Sequence, residues 1–170
     1  ALGENPKNTY HSKDQTPSPR MATAAIIREQ LMKAQRYMQD KENAEGDEDG
    51  DEPEFDMKSE ALCGVLKGET QAHFHAHRSD DIFTAVRIAR EFELNAVLVH
   101  CTEGHLSPEK LAAEKIPAIV GPIIGTRTKP ERANQTETTA AVLKKAGVDV
   151  AICTDHPEVP IKYLPLSAAI

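Results

Sequence analysis

Four short apolar runs, each closed by polar residues and each followed by a helix-forming segment, restrict this chain to a narrow set of folds. The runs are Ala72 to His77, Ala96 to Val99, Pro117 to Gly121 and Val148 to Thr154. Between the first two, Ser79 is placed to cap a helix whose first turn carries Asp80 and Asp81, favourable at the positive end of a helix dipole. Ile82, Ala85, Val86, Ala89 and Phe92 then recur at helical spacing as a buried stripe. Ser107-Pro108-Glu109 opens the next helix with a cap and a proline at the first position. A further helix from about Thr136 to Ala146 stops at Gly147, a left-handed C-terminal cap, and a last one starts near Pro160. Strand and helix alternate every 20 to 35 residues or so, the pattern of parallel βαβ units with right-handed crossovers. The fold class is α/β.

The N-terminal third is less regular. Residues 1 to 20, with several prolines and the turn-forming Gly3-Glu4-Asn5-Pro6, read as loop. Ile27, Leu31, Ala34 and Met38 mark an amphipathic helix from Met21 to Asp40, and a short helix from about Phe55 to Leu66 ends at Gly68. Between them, from Glu42 to Asp56, nine of fifteen positions are acidic and none is basic, which predicts a solvated, flexible insert. That block accounts for the net charge of -7: outside it 18 acidic residues face 20 basic ones. No basic stripe interleaved with aromatics is present, which argues against a nucleic-acid partner. No apolar stretch approaches the roughly 18 residues of a membrane span. The three cysteines, Cys63, Cys101 and Cys153, form no CxxC and suit free thiols in a reducing cytoplasm. At 170 residues the chain is expected to form one domain, 1–170.

Functional residues of βα proteins concentrate where strands end. His75 and His77 close the first run, His100 the second, and Asp155 the last. Each has a bland reading: a buried histidine bonded to backbone, or a turn aspartate. Their recurrence at the same point of separate βα units outweighs that reading. His73, His75 and His77 alternate onto one strand face; His73, deeper in the strand, is read as structural. His75, His100 and Asp155 together are a ligand set for zinc or a similar divalent ion. Such an ion lowers the pKa of a bound water to about 7, and Asp155 would accept the water's proton and return it to the leaving group. The implied reaction is hydrolysis, most simply of a C–N bond. Arg78 is a candidate clamp for a substrate carboxylate or an exposed surface residue. Glu103 and His105 either line a pocket or belong to a turn. Neither a phosphate-cradling glycine pattern nor GxSxG occurs, and Cys101 and Cys153 read as small buried residues rather than nucleophiles.

Taken together, His75-Ala76-His77-Arg78-Ser79-Asp80-Asp81-Ile82, Val99-His100-Cys101-Thr102-Glu103-Gly104 and Thr154-Asp155-His156-Pro157 resemble the amidohydrolase superfamily. Gly3-Glu4-Asn5-Pro6-Lys7 and Pro160-Ile161-Lys162-Tyr163-Leu164-Pro165-Leu166 fit its imidazolonepropionase-like branch, so the resemblance spans all but the acidic insert. It implies a (β/α)8 barrel with one or two divalent ions, zinc above all, at the C-terminal strand ends. His75 then matches the metal histidine of strand five, His100 that of strand six, and Asp155 the strand-eight aspartate that binds metal and moves protons. Asp155 and His100 would be catalytic, and His77 and Arg78 substrate-binding by position. The family also carries an HxH pair on strand one. Gly68-Glu69-Thr70-Gln71-Ala72 is not the Gly-x-Ile-Asp lead of that pair, and only 93 residues follow His77, room for three further βα units rather than seven.

The expectation is therefore a partial TIM barrel, about strands four or five to eight, belonging to a longer polypeptide or a truncated gene product. Four strands cannot close an eight-stranded barrel and leave two open edges. The resemblance implies an amide or cyclic amide as substrate. The chain would pair with the missing barrel half or self-associate. The rival reading is a catalytically inactive half-barrel that survives by association with another chain.

Overall fold

The computed structural model describes residues 1–45 and 52–170. A parallel four-stranded sheet in the order β1-β2-β3-β4 is built from β1 (Ala72–Ala76), β2 (Ala96–His100), β3 (Ala118–Val120) and β4 (Val150–Ile152). Strand order follows chain order, so every connection crosses over to the adjacent position. The result is an α/β fold compatible with part of a barrel, and the outer edges of β1 and β4 have no strand partner among the described residues.

The crossovers are α4 (Ser79–Glu91), α5 (Pro108–Glu114) and α6 (Thr139–Ala146). From α4, Ile82, Ala85, Val86, Ile88 and Ala89 are buried in one cluster with Phe74 of β1 and Leu98 of β2. Each such large aliphatic side chain contributes roughly 1.5–3 kcal/mol by leaving water. The start of α4 differs from expectation. Ser79 is inside the helix, Arg78 precedes it in extended conformation, and the Ser79 N–H donates to Glu103 Oε2 at 2.7 Å. A carboxylate from the β2–α5 loop thus does the capping, which no local signal announces. Gly147 caps α6 at φ 101°, in the left-handed region expected of it.

Upstream, the segment read as loop contains α1 (Glu4–His11). Pro6 falls in its first turn, where a missing N–H costs nothing, and the Glu4 N–H donates to Glu131 Oε2 at 2.8 Å. Arg20 ties this helix to α4, donating to Glu4 Oε1 at 2.7 Å and to the buried Asp81 at 3.0 Å. The next helix, α2 (Arg20–Glu45), runs on past Asp40, so the expected insert begins as helix. Residues 46–51 of that insert lie outside the described residues. Its far end is anchored: Asp56 caps α3 (Met57–Leu66), accepting from the Lys58 N–H and the Ser59 hydroxyl, and pairs with Lys33 of α2 at 2.6 Å. The Lys33 ammonium, with the Ser59 hydroxyl, holds the Asp56 carboxyl well below the usual carboxylate range. The chain ends with α7 (Leu164–Ala169). No helix among the described residues is long and apolar enough to cross a membrane.

Candidate metal centre

The parallel register aligns the C-terminal strand ends: His75 lies opposite Val99, Ala76 opposite His100, and His100 opposite Val120. Pleat alternation puts His75 and His77 on one face and His100 on the other, with Ala76. His100, however, has φ 72° and Cys101 φ 48°, both in the left-handed region. This break in extended backbone at the last residue of β2 turns the His100 ring onto the histidine face. Its centroid is 4.5 Å from that of His75, edge-on, and 4.6 Å from that of His77, stacked at 13°. One ring nitrogen from each of the three lies within 4.8 Å of the other two. Non-glycine residues at such φ values cost about 1–3 kcal/mol each and cluster at functional sites.

Two of the rings are fixed by bonds that leave a nitrogen available. His100 Nδ1 donates to the Gly121 carbonyl, and His77 Nδ1 is 2.8 Å from Thr102 Oγ1. His75 Nδ1 is buried with no hydrogen-bond partner, while its Nε2 faces Asn5 Nδ2 at 3.5 Å. An orphaned buried imidazole nitrogen beside two others suits a divalent ion. Nitrogens on one tetrahedral zinc stand about 3.4 Å apart at bonds of about 2.1 Å, within reach of small ring rotations from this arrangement. The protonation state fits as well, since metals take neutral imidazole. Burial, reinforced by neighbouring His100, pushes His75 down to about 4 and His77 to about 3.

Those shifts predict acid sensitivity of the metal-free chain. An unfolded histidine titrates near 6.5, so between about 6.5 and the folded values of about 4 and about 3 the unfolded state binds more protons. Stability is therefore full above about pH 6.5 and is lost as pH falls through that window. His77 contributes a slope of up to about 1.4 kcal/mol per pH unit, and the more exposed His75 less. Urea midpoints of chelator-treated protein between pH 7.5 and 4 measure it. A His77→Asn variant should show the flatter dependence.

The other expected residues lie in different surroundings. Asp155, φ 52°, is exposed beyond the end of β4 and is not among the three grouped histidines. β3 separates its strand from β2, which amounts to two strand spacings, about 10 Å. Arg78 is turned to solvent in a two-pronged ion pair with Asp80, at 3.1 and 3.0 Å. Glu103 caps α4 and also accepts from Asn134 Nδ2, and His105 Nδ1 bonds the Thr102 carbonyl and the Thr139 hydroxyl. His73 is exposed on the β1 side, beside Phe74 and Leu94. Two charged residues not anticipated stand close by. Glu131 is fully buried, with Oε1 3.7 Å from His77 Nε2. Arg132, 4% exposed, bonds Gln135 and Glu158. They follow Lys129 in a single helical turn, Pro130–Arg132, and a charged pair there reads as surface.

Comparison with known proteins places this geometry. A crystal structure of an amidohydrolase from Thermotoga maritima MSB8 superposes on 99% of the chain with a TM-score of 0.94 and 45% sequence identity. The likeness is to part of an amidohydrolase. The chain spans 44% of that protein's length. No protein-family model matches the chain, and no curated protein matches it.

Proposed function

We propose that the chain is the C-terminal part, about strands four or five to eight, of the barrel of a metal-dependent hydrolase acting on non-peptide C–N bonds, in the imidazolonepropionase-like branch. The observation that carries this reading is the meeting of three imidazoles at the ends of adjacent parallel strands, in a chain 45% identical to an amidohydrolase over nearly its whole length. A divalent ion there, zinc by donor type, would supply a Lewis acid and an activated water at neutral pH. His75 and His100 would hold it. Asp155 would complete the set from the tip of β4 and carry the proton from water to the departing nitrogen. His77 and Arg78 would face the substrate, an amide or cyclic amide. Two open sheet edges, and an apolar cleft beside β1 lined by Ile26, Leu62, Val65 and Phe74, suit pairing with the rest of a barrel or self-association. The same open edges favour a second reading, an inactive half-barrel held by another chain.

Elemental analysis of the purified chain, together with hydrolysis assays on a panel of cyclic amides with and without chelator, tests the proposal. Bound divalent metal is expected, with poor turnover from this segment alone, because it supplies only part of a barrel and of the ligand set, and with chelator-sensitive turnover once the remaining strands are supplied. Absence of metal after incubation with zinc or cobalt overturns the metal-dependent reading, and turnover still absent when the remaining strands are supplied favours the second.

A further inference from the structure

Glu131 has 0% exposure and one oxygen, Oε1, without a partner among the described residues. Its other oxygen is committed. Oε2 accepts the Glu4 N–H at 2.8 Å, and a Cβ on Gly3 would sit 2.5 Å from it, so the backbone of residues 3 and 4 is packed directly against this carboxylate. Oε1 looks at His77 Nε2 from 3.7 Å. On the opposite side of that ring, Nδ1 is 2.8 Å from Thr102 Oγ1, a hydroxyl with no other hydrogen-bond partner among the described residues. A neutral imidazole has one N–H and one bare nitrogen, so two arrangements exist. With the hydrogen on Nδ1, the Thr102 hydroxyl must accept, its own hydrogen is stranded, and bare Nε2 confronts a bare carboxylate oxygen. With the hydrogen on Nε2, Thr102 donates to Nδ1 and the Nε2–H faces Glu131 Oε1 across 3.7 Å, an electrostatic contact longer than a hydrogen bond. The Thr102 hydrogen and the bare Nδ1 are then paired, and the carboxylate oxygen faces an N–H instead of a lone pair. A buried polar atom left without a partner keeps its full desolvation penalty, which disfavours the first arrangement.

We propose that Glu131 is a positioning residue for His77, holding its hydrogen on Nε2 and fixing the ring against His100. A consequence, which rests on the metal-centre reading, is that His77 stays out of the ligand set and the ion is held by His75 and His100 among the three imidazoles. His77 then presents a fixed wall beside the ion.

Histidine-labelled 15N spectra of the metal-free chain, with the His77 signals assigned by their loss in His77→Asn, read the tautomer directly. The expected result is a protonated Nε2 and a bare Nδ1. Glu131→Gln should reverse it. The Gln oxygen must still accept from the Glu4 N–H, so its amide group faces His77 as a donor and requires a bare Nε2. A wild-type His77 carrying its hydrogen on Nδ1 overturns the proposal, as does a folded Glu131→Gln variant with an unchanged tautomer. Should Glu131→Gln fail to fold, the wild-type spectrum decides alone. Titration with zinc chloride separates this proposal from the metal reading. Retention of the Nε2 hydrogen while His75 and His100 signals move supports both, and its loss on zinc binding overturns the positioning role while leaving the centre intact. No movement of any histidine signal counts against the centre alone.

Discussion

His100→Ala should empty the metal centre. Losing a group that merely orients a ligand lowers metal affinity by about 10–100-fold, so losing a ligand imidazole is expected to cost more than about 100-fold. Zinc or cobalt content after gel filtration should fall from about one equivalent towards zero, and any C–N bond hydrolysis should fall with it. The substitution has a second effect. His100 Nδ1 donates to the Gly121 carbonyl, and removing that donor leaves a buried acceptor bare at about 1–3 kcal/mol. His100→Gln separates the two effects, since its side-chain amide offers Gly121 a donor without restoring the imidazole. Restored stability with absent metal is the expected outcome. Metal retained at wild-type affinity in both variants would exclude His100 as a ligand.

What the sequence shows of this molecule is its regular part. The period-2 and period-3.6 patterns locate the four strands and the helices between them, because a buried parallel strand must be apolar and a helix covering it must carry a stripe. His75 and His77 are legible for the same reason, since alternation along β1 puts both on one face. His100 stands out by its place at a strand end, but its side cannot be read from the pattern: alternation sends it away from His75, and the φ of 72° that brings it back depends on tertiary bonds. Helix α1 was hidden because its N-terminal N–H is satisfied by Glu131, 127 positions away. Glu131 itself sits in a charged pair, Glu131-Arg132 after Lys129-Pro130, that composition assigns to solvent. Only a loop folding back over the strand ends buries it. Asp155 follows the end of β4, as its place after an apolar run implies, but chain position does not say how far a strand tip lies from its neighbours' ligands.

Gly121→Ala is expected to be the most destabilising glycine-to-alanine change among the described residues. A Cβ at this position would stand 2.0 Å from the Cys153 carbonyl oxygen, a backbone atom of the adjacent strand end, with φ at 146°. Neither can yield cheaply, because Cys153 N–H donates to the Val120 carbonyl at 2.9 Å and locks the two strands in register. Backbone strain of about 1–3 kcal/mol and overpacking of a similar size add to roughly 4 kcal/mol, which for a chain of this length lowers Tm by about 10 °C. Gly147→Ala is the control that isolates the backbone contribution. Gly147 has φ 101°, yet nothing lies within 4 Å of its would-be Cβ, so only about 1 kcal/mol is expected. Equal losses in the two variants would show that conformation alone sets the cost and that the Cys153 carbonyl does not crowd a side chain at position 121. A much larger loss at Gly121 would tie stability to the site, because the same glycine offers the carbonyl that fixes the His100 ring. Metal affinity should then fall in Gly121→Ala, though no ligand has been touched, and stay unchanged in Gly147→Ala.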